Sequence, residues 1–124
     1  MKILIIDDVL GWRNYHSKIV SELIPEAKIE LAETAYNAYN KIIEHSESPF
    51  DIILTDMQME QDYEPLYAGE WLIERIQELK QYKKTKIIII SAAYNIETIA
   101  QNYNVNYLRK TTARNFPDSY SIIK

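Results

Sequence analysis

Three stretches of this chain are apolar with no alternation and then meet a polar side chain. Ile3-Leu4-Ile5-Ile6 runs into Asp7-Asp8, Ile52-Ile53-Leu54 runs through Thr55 into Asp56, and Ile87-Ile88-Ile89-Ile90 runs into Ser91. A strand with one face in water alternates apolar and polar residues. A run without alternation suits a strand covered on both faces, as in a parallel sheet flanked by helices. Open sheets of that kind bind ligands in the crevice outside the carboxyl ends of their strands. Three such strands therefore bring Asp7, Asp8, Asp56 and Ser91 to one rim.

The segments between the runs supply the covering layers. From Gly11 to Leu23, the spacing of Trp12, Tyr15, Ile19 and Leu23 makes one stripe of an amphipathic helix, which Pro25 ends. Lys28-Ile29-Glu30-Leu31 alternates and reads as an edge strand. Thr34 to His45 carries Ala35, Ala38, Tyr39, Ile42 and Ile43 at helical spacing, with Thr34 as the N-cap. Ser46 to Pro49 is a turn. After Asp56 the pattern lapses: Met57 to Ala68 is polar and acidic, with Glu60, Asp62 and Glu64, and Pro65 opposes a continuous helix. A third helix over Glu70–Lys80 turns Leu72, Ile76 and Leu79 inward, and Lys86 opens the strand that ends at Ser91. A short helix over Ile96–Tyr103 and a brief strand at Tyr107-Leu108-Arg109 follow. From Thr111 the pattern is weak; Pro117 could open a final helix ending at Ile122-Ile123-Lys124, too short to persist unless it docks. Strands alternating with helices in this way predict an α/β domain of five parallel strands with helices on both faces.

Composition narrows the function classes. A chain of 124 residues is expected to be one domain, residues 1–124, able to build its own core. A net charge of -4 offers no electrostatic reason for direct nucleic-acid binding. The absence of cysteine excludes disulfides and thiolate metal sites and fits a cytoplasmic protein. The opening apolar run is too short for a signal peptide and is stopped by Asp7, and no stretch is long enough to span a bilayer, so no membrane association is expected. His16 and His45 sit on different helices with no third ligand nearby in sequence, and both read as surface residues.

The rim holds an aspartate pair, a lone aspartate, a hydroxyl and Lys110, which follows the last strand. Each suits phosphoryl transfer. Crowded carboxylates repel, and a hard divalent cation such as Mg²⁺, which takes carboxylate oxygens, a carbonyl and waters, neutralises them. A remaining carboxylate oxygen can attack phosphorus to form an aspartyl phosphate. The incoming group brings roughly 1.5 to 2 negative charges, which a cation, an ammonium group and a hydroxyl donor can stabilise. Arg109 competes with Lys110 for the cationic role, since strand neighbours point to opposite faces.

In this order, the motifs ILIIDD, DIILTDMQM, Gly69 before the third helix, IIIISA and YLRK resemble those of the receiver domains of two-component response regulators, from Lys2 to about Lys110. The resemblance implies a flavodoxin-like, doubly wound sheet in the order 2-1-3-4-5, with the last helix short or degenerate. It implies that Asp56 is the phosphoacceptor, and that Asp7, Asp8, Asp56 and the carbonyl of Gln58 bind Mg²⁺, Asp8 directly and Asp7 mainly through water. Ser91 would hydrogen-bond the phosphoryl group, Lys110 would pair with it, and Ser91 and Tyr107 would act as the switch pair. A histidine kinase or phosphotransfer protein would be the donor, docking around Trp12 to Leu23. The output partner is left open, and a homodimer is among the arrangements allowed.

The chain departs from the family pattern at several points. Glu60 stands where the family has proline, Gly69 arrives about five residues late, and Thr111 replaces the usual proline after the lysine. Two other readings stay in view. One is a receiver-fold binding module that no longer cycles through phosphorylation. The other is a metal-dependent phosphohydrolase, disfavoured because Gln58 stands where a second acid is expected.

Overall fold

Each uninterrupted apolar run forms a central strand of a parallel sheet. A computed structural model describes residues 1–59 and 67–124. Its elements are β1 (Lys2–Ile6), α1 (Leu10–Leu23), β2 (Lys28–Ala32), α2 (Ala35–Glu44), β3 (Ile52–Thr55), α3 (Ala68–Gln77), β4 (Lys86–Ser91), α4 (Ile96–Tyr103), β5 (Asn106–Arg109) and α5 (Lys110–Asn115). Two 3₁₀ segments, Lys80–Tyr82 and Pro117–Ile123, complete the chain. The strands lie in the order β2-β1-β3-β4-β5, and every pair is parallel. The flavodoxin-like α/β architecture expected of the sequence is the one observed.

Alternation within the central strands divides the core into two layers. Leu4, Ile6, Ile53, Ile87 and Ile89 pack with Ala38, Ile42, Leu72, Ile73, Ile76 and Ile99 of α2, α3 and α4. Ile3, Ile5, Ile52, Leu54, Ile88 and Ile90 pack on the other face with Val20 of α1, Ala113 of α5, and Tyr120 and Ile123 of the last 3₁₀ segment. Burying each isoleucine contributes about 1.5–3 kcal/mol, so both faces of β1, β3 and β4 must be covered. β2 and β5 are the edges, and their mixed burial reflects it.

Local signals place most boundaries. The Thr34 hydroxyl accepts the Asn37 N–H at 3.0 Å, so the predicted N-cap operates. α3 starts at Ala68, two residues earlier than expected, and stops at Gln77; Leu79 still packs on the core from the following turn. α4 ends with Asn104 in the left-handed region (φ 55°, ψ 48°), which turns the chain into β5.

The expectations for the C-terminal segment and the two histidines need correction. The region after Thr111 is helical from Lys110 to Asn115, although Thr111 and Thr112 are poor helix formers. Docking supplies what propensity does not: Ala113 is fully buried, and its carbonyl accepts a hydrogen bond from the Tyr15 hydroxyl at 3.0 Å. The final segment is 3₁₀ rather than α, with Pro117 at its start. His16 is not a surface residue. It lies on the inner face of α1, one turn after Trp12 and one before Val20, and is 2% exposed. His45 is half-buried and pairs with Glu30 at 2.8 Å. The predicted acidic stretch containing Glu60, Asp62, Glu64 and Pro65 lies outside the described residues. No described helix is long and apolar enough to cross a membrane.

Candidate functional site

The pairing of β1 with β3 sets the first contact of the site. Ile6 faces Thr55 across the two strands, so the next residues, Asp7 and Asp56, leave the sheet side by side. The backbone holds both in place: Asp56 N–H donates to the Ile6 carbonyl at 3.0 Å, and Asp7 N–H to the Ala32 carbonyl at 3.2 Å. At the last step of the β4–β5 ladder, Ser91 faces Arg109. Lys110 follows as the first residue of α5, and its side chain turns into the crevice.

The two carboxylates share that ammonium. Lys110 Nζ lies 2.8 Å from Asp56 Oδ2 and 2.9 Å from Asp7 Oδ2. The other oxygens are held by the backbone: Asp56 Oδ1 accepts N–H groups of Met57 (2.6 Å) and Gln58 (3.3 Å), and Asp7 Oδ1 accepts that of Val9 (3.0 Å). Arg109 points elsewhere, with its guanidinium 5.9 Å from the centroid of the Tyr107 ring. Lys110, which stands past the strand at the start of α5, is the cation that reaches the crevice.

Burial and charge push the two acids in opposite directions. Burial raises the Asp56 carboxyl above the usual carboxylate range; Lys110 pulls it back without cancelling that effect, and Asp7 adds to the rise. Burial also acts on Asp7, but hydrogen bonds from His16, the Val9 N–H and Lys110 outweigh it and hold that carboxyl below the usual range. Lys110 is itself raised, because its two carboxylate partners outweigh its desolvation. It therefore stays an ammonium group at neutral pH.

Asp8, half-buried, completes the acidic cluster. One oxygen each from Asp7, Asp8 and Asp56 can lie within 4.8 Å of the others. Three hard carboxylate oxygens at that separation suit Mg²⁺, Ca²⁺ or Mn²⁺ and not a soft ion. The donor set therefore fits the Mg²⁺ implied by the family resemblance. Gln58 is exposed beside it, bonded through its N–H to Asp56. Ser91 is buried at the end of β4, where its hydroxyl accepts the Ala93 N–H at 3.2 Å. Tyr107 is half-buried and packs against the layer formed by α2, α3 and α4.

Gly69 has a steric reason for its place. A Cβ there would sit 2.7 Å from Met57 Cα and closer still to the Asp56 carbonyl oxygen. With its N–H bonded to the Met57 carbonyl at 2.9 Å, Gly69 lets α3 press against the backbone that carries Asp56.

Residue reading missed three contributors. Trp12 lies under the ammonium of Lys110, 5.0 Å from ring centroid to Nζ, and stacks on His16 with centroids 5.3 Å apart. His16 Nδ1 is 2.6 Å from the Tyr120 hydroxyl, and its Nε2 is 3.4 Å from Asp7 Oδ2. Counting apolar positions on α1 overlooks a histidine in the middle of the buried stripe. Its spacing of four from both Trp12 and Val20 is the signal that was available.

Several solved structures share this architecture. The chemotaxis response regulator CheY4 of Vibrio cholerae superposes with a TM-score of 0.70 at 21% identity, covering 88% of this chain and 85% of that one. The signal receiver domain of a DNA-binding response regulator from Colwellia psychrerythraea gives 0.73 at 20% identity, covering 90% and 86%. The receiver domain of the histidine kinase CKI1 from Arabidopsis thaliana gives 0.73 at 18% identity, covering 90% and 81%. At such identities the likeness is one of fold. No curated protein matches the chain. The family model for the response regulator receiver domain matches residues 3–115, nearly the whole chain and all of the acidic crevice. The chain belongs to the response regulator receiver domain family.

Proposed function

We propose that residues 1–124 form one receiver domain that accepts a phosphoryl group on Asp56 with the help of Mg²⁺. The observation that supports this most is the convergence of Asp7, Asp56 and Lys110, from three different strand ends, to contacts of 2.8 and 2.9 Å. Asp56 supplies the nucleophile. One carboxylate oxygen attacks phosphorus as the bond to the donor's leaving group breaks, giving an aspartyl phosphate. A histidine kinase or phosphotransfer protein is the proposed donor. Two N–H groups on Oδ1 hold the carboxylate in one orientation, so little reorganisation is needed during attack.

Asp7, Asp8, Asp56 and the Gln58 carbonyl are the proposed holders of Mg²⁺, which when bound supplies positive charge against the transferring oxygens. Lys110 moves from its two carboxylates to the new phosphoryl group. The Ser91 hydroxyl donates to that group, and Tyr107 follows by repacking against α4. The output is a shift between two states of the β4–α4–β5 surface, read by a partner protein. On this reading the chain works in the cytoplasm without binding nucleic acid itself.

A second reading, a module that keeps the fold without cycling, draws on the bridge that Lys110 makes between both acids. Intact-mass measurement after incubation with Mg²⁺ and a small acyl phosphate separates the two. One phosphoryl mass gained by the wild type, absent in Asp56→Asn and without Mg²⁺, is the expected result. Mg²⁺ binding with no gain would leave the non-cycling module. An equal gain in Asp56→Asn would remove Asp56 as acceptor.

A further inference from the structure

Behind the crevice, two buried side chains, His16 and Tyr120, lead away from Asp7 in series. His16 is 2% exposed and Tyr120 is fully enclosed, yet each carries polar atoms into the core layer under α1. Burying such groups costs free energy unless they bond to one another, and here they do. The Tyr120 hydroxyl lies 2.6 Å from His16 Nδ1, while Nε2 faces Asp7 Oδ2 across 3.4 Å. Burial, with Tyr15 and Asp7 nearby, holds the Tyr120 phenol protonated, and its hydroxyl shares one hydrogen bond with Nδ1. The Asp7 carboxylate can only accept, so Nε2 carries a ring hydrogen and donates it to Oδ2. The contacts run from Tyr120 through His16 to Asp7.

Nothing in the phosphoryl-transfer chemistry requires this series, and the packing does not require polar atoms there. Trp12 stacks on the imidazole from above, and Tyr15 meets Tyr120 edge to face, with centroids 6.1 Å apart. The rest of the segment is held independently. Ile123 is buried, and Lys86 Nζ donates to the Ile122 carbonyl at 2.6 Å. Phenylalanines in place of His16 and Tyr120 would preserve the aromatic stack while losing both hydrogen bonds.

We propose that His16 is a positioning residue for the Asp7 carboxylate, and that through it the 3₁₀ segment Pro117–Ile123 forms an outer layer of the metal-binding crevice. The inference rests on the reading above that the crevice takes Mg²⁺. Asp7 Oδ2 has two donors, Lys110 and His16. When Lys110 leaves for a phosphoryl group, His16 is the donor that remains on Oδ2, opposite the Val9 N–H on Oδ1. Coupling of this kind is reciprocal: if Tyr120 improves the aim of Asp7 toward the ion, a bound ion tightens the docking of Pro117–Ile123.

Calorimetric Mg²⁺ titration of the full chain, with amide hydrogen exchange on the same samples, tests the proposal. Loss of partners outside the ligand shell lowers metal affinity about 10- to 100-fold. His16→Phe is expected at the lower end of that range, about 10-fold, and Tyr120→Phe, one bond further out, loses affinity in the same direction by less. His16→Gln, which can accept from Tyr120 and donate to Asp7, recovers most of the affinity. In the wild type, saturating Mg²⁺ slows exchange at Ser119–Ile123, a readout that survives if a variant fails to fold. Unchanged affinity in both phenylalanine variants, equal losses in His16→Phe and His16→Gln, or exchange at Ser119–Ile123 indifferent to Mg²⁺ would overturn the proposal. A wild-type chain that binds no Mg²⁺ at all would instead remove the reading of the crevice on which it rests.

Discussion

Replacing Gly69 with alanine tests whether the close approach of α3 to β3 shapes the site. The added Cβ would meet two backbone atoms of the segment after β3, with Met57 Cα at 2.7 Å and the Asp56 carbonyl oxygen nearer still. Backbone cannot swing aside as a flexible side chain can, so either α3 or the Asp56–Met57 peptide must move by roughly 0.5–1 Å, the kind of shift that overpacking forces. Overpacking of that kind costs about 1–3 kcal/mol. Both clashes are with backbone, so the upper part of that range applies; alanine's better helix propensity returns at most about 1 kcal/mol, and less near a helix start, leaving a net loss of about 2 kcal/mol. For a chain of 124 residues, that loss lowers the thermal midpoint by about 8 °C. Urea unfolding followed by far-ultraviolet circular dichroism gives the free energy, and calorimetric Mg²⁺ titration shows whether the displaced peptide disturbs the crevice. A variant as stable as the wild type, or more so, would refute the claim that this approach is sterically saturated.

The two acids should respond oppositely to amidation in the presence of a chelator. Burial raises Asp56 in the folded chain, so its ionisation opposes folding as pH rises through the unfolded and then the folded value; Asp56→Asn gains stability at neutral pH, and the gain fades in acid. Asp7 is held low, so its contribution exists above the unfolded value and is lost as pH falls; Asp7→Asn loses stability at neutral pH. Thermal midpoints from pH 3 to 8 check both signs. Lys110→Met strips the counter-charge from two buried carboxylates and should cost about 3 kcal/mol in chelator, with Mg²⁺ restoring part of the loss in the same melt. Asn104, at φ 55°, tolerates glycine, whereas Asn104→Ala should cost about 1 kcal/mol in urea unfolding.

Most of the fold was readable because burial on both faces leaves so plain a mark. β1, β3 and β4 lack alternation since no side of them meets water, and their polar ends mark the crevice. Edge strand β2 alternates in sequence although its burial does not, and the short helix expected around Ile96 to Tyr103 forms there. Asp7, Asp56 and Lys110 could be placed together because parallel strands all end on one rim. α5 was not legible, because Thr111 and Thr112 hide a helix that exists through contacts with Tyr15 and the sheet. His16 was misread for a related reason. A polar residue on a helix is assigned to solvent unless its buried partners are known, and Tyr120 lies more than a hundred residues away, with 104 between their numbers. The early start of α3 has a local mark, the Glu70 carboxylate accepting the Tyr67 N–H at 3.1 Å, which the weak pattern before Gly69 obscures.

The acceptor position is tested most directly by reductive trapping. After incubation with Mg²⁺ and a small acyl phosphate, borohydride converts a phosphorylated aspartate to homoserine, and tandem mass spectrometry locates it. The account predicts one trapped site, at Asp56, dependent on Mg²⁺. Trapping at Asp7 or Asp8, or at no aspartate while Mg²⁺ is bound, would contradict it.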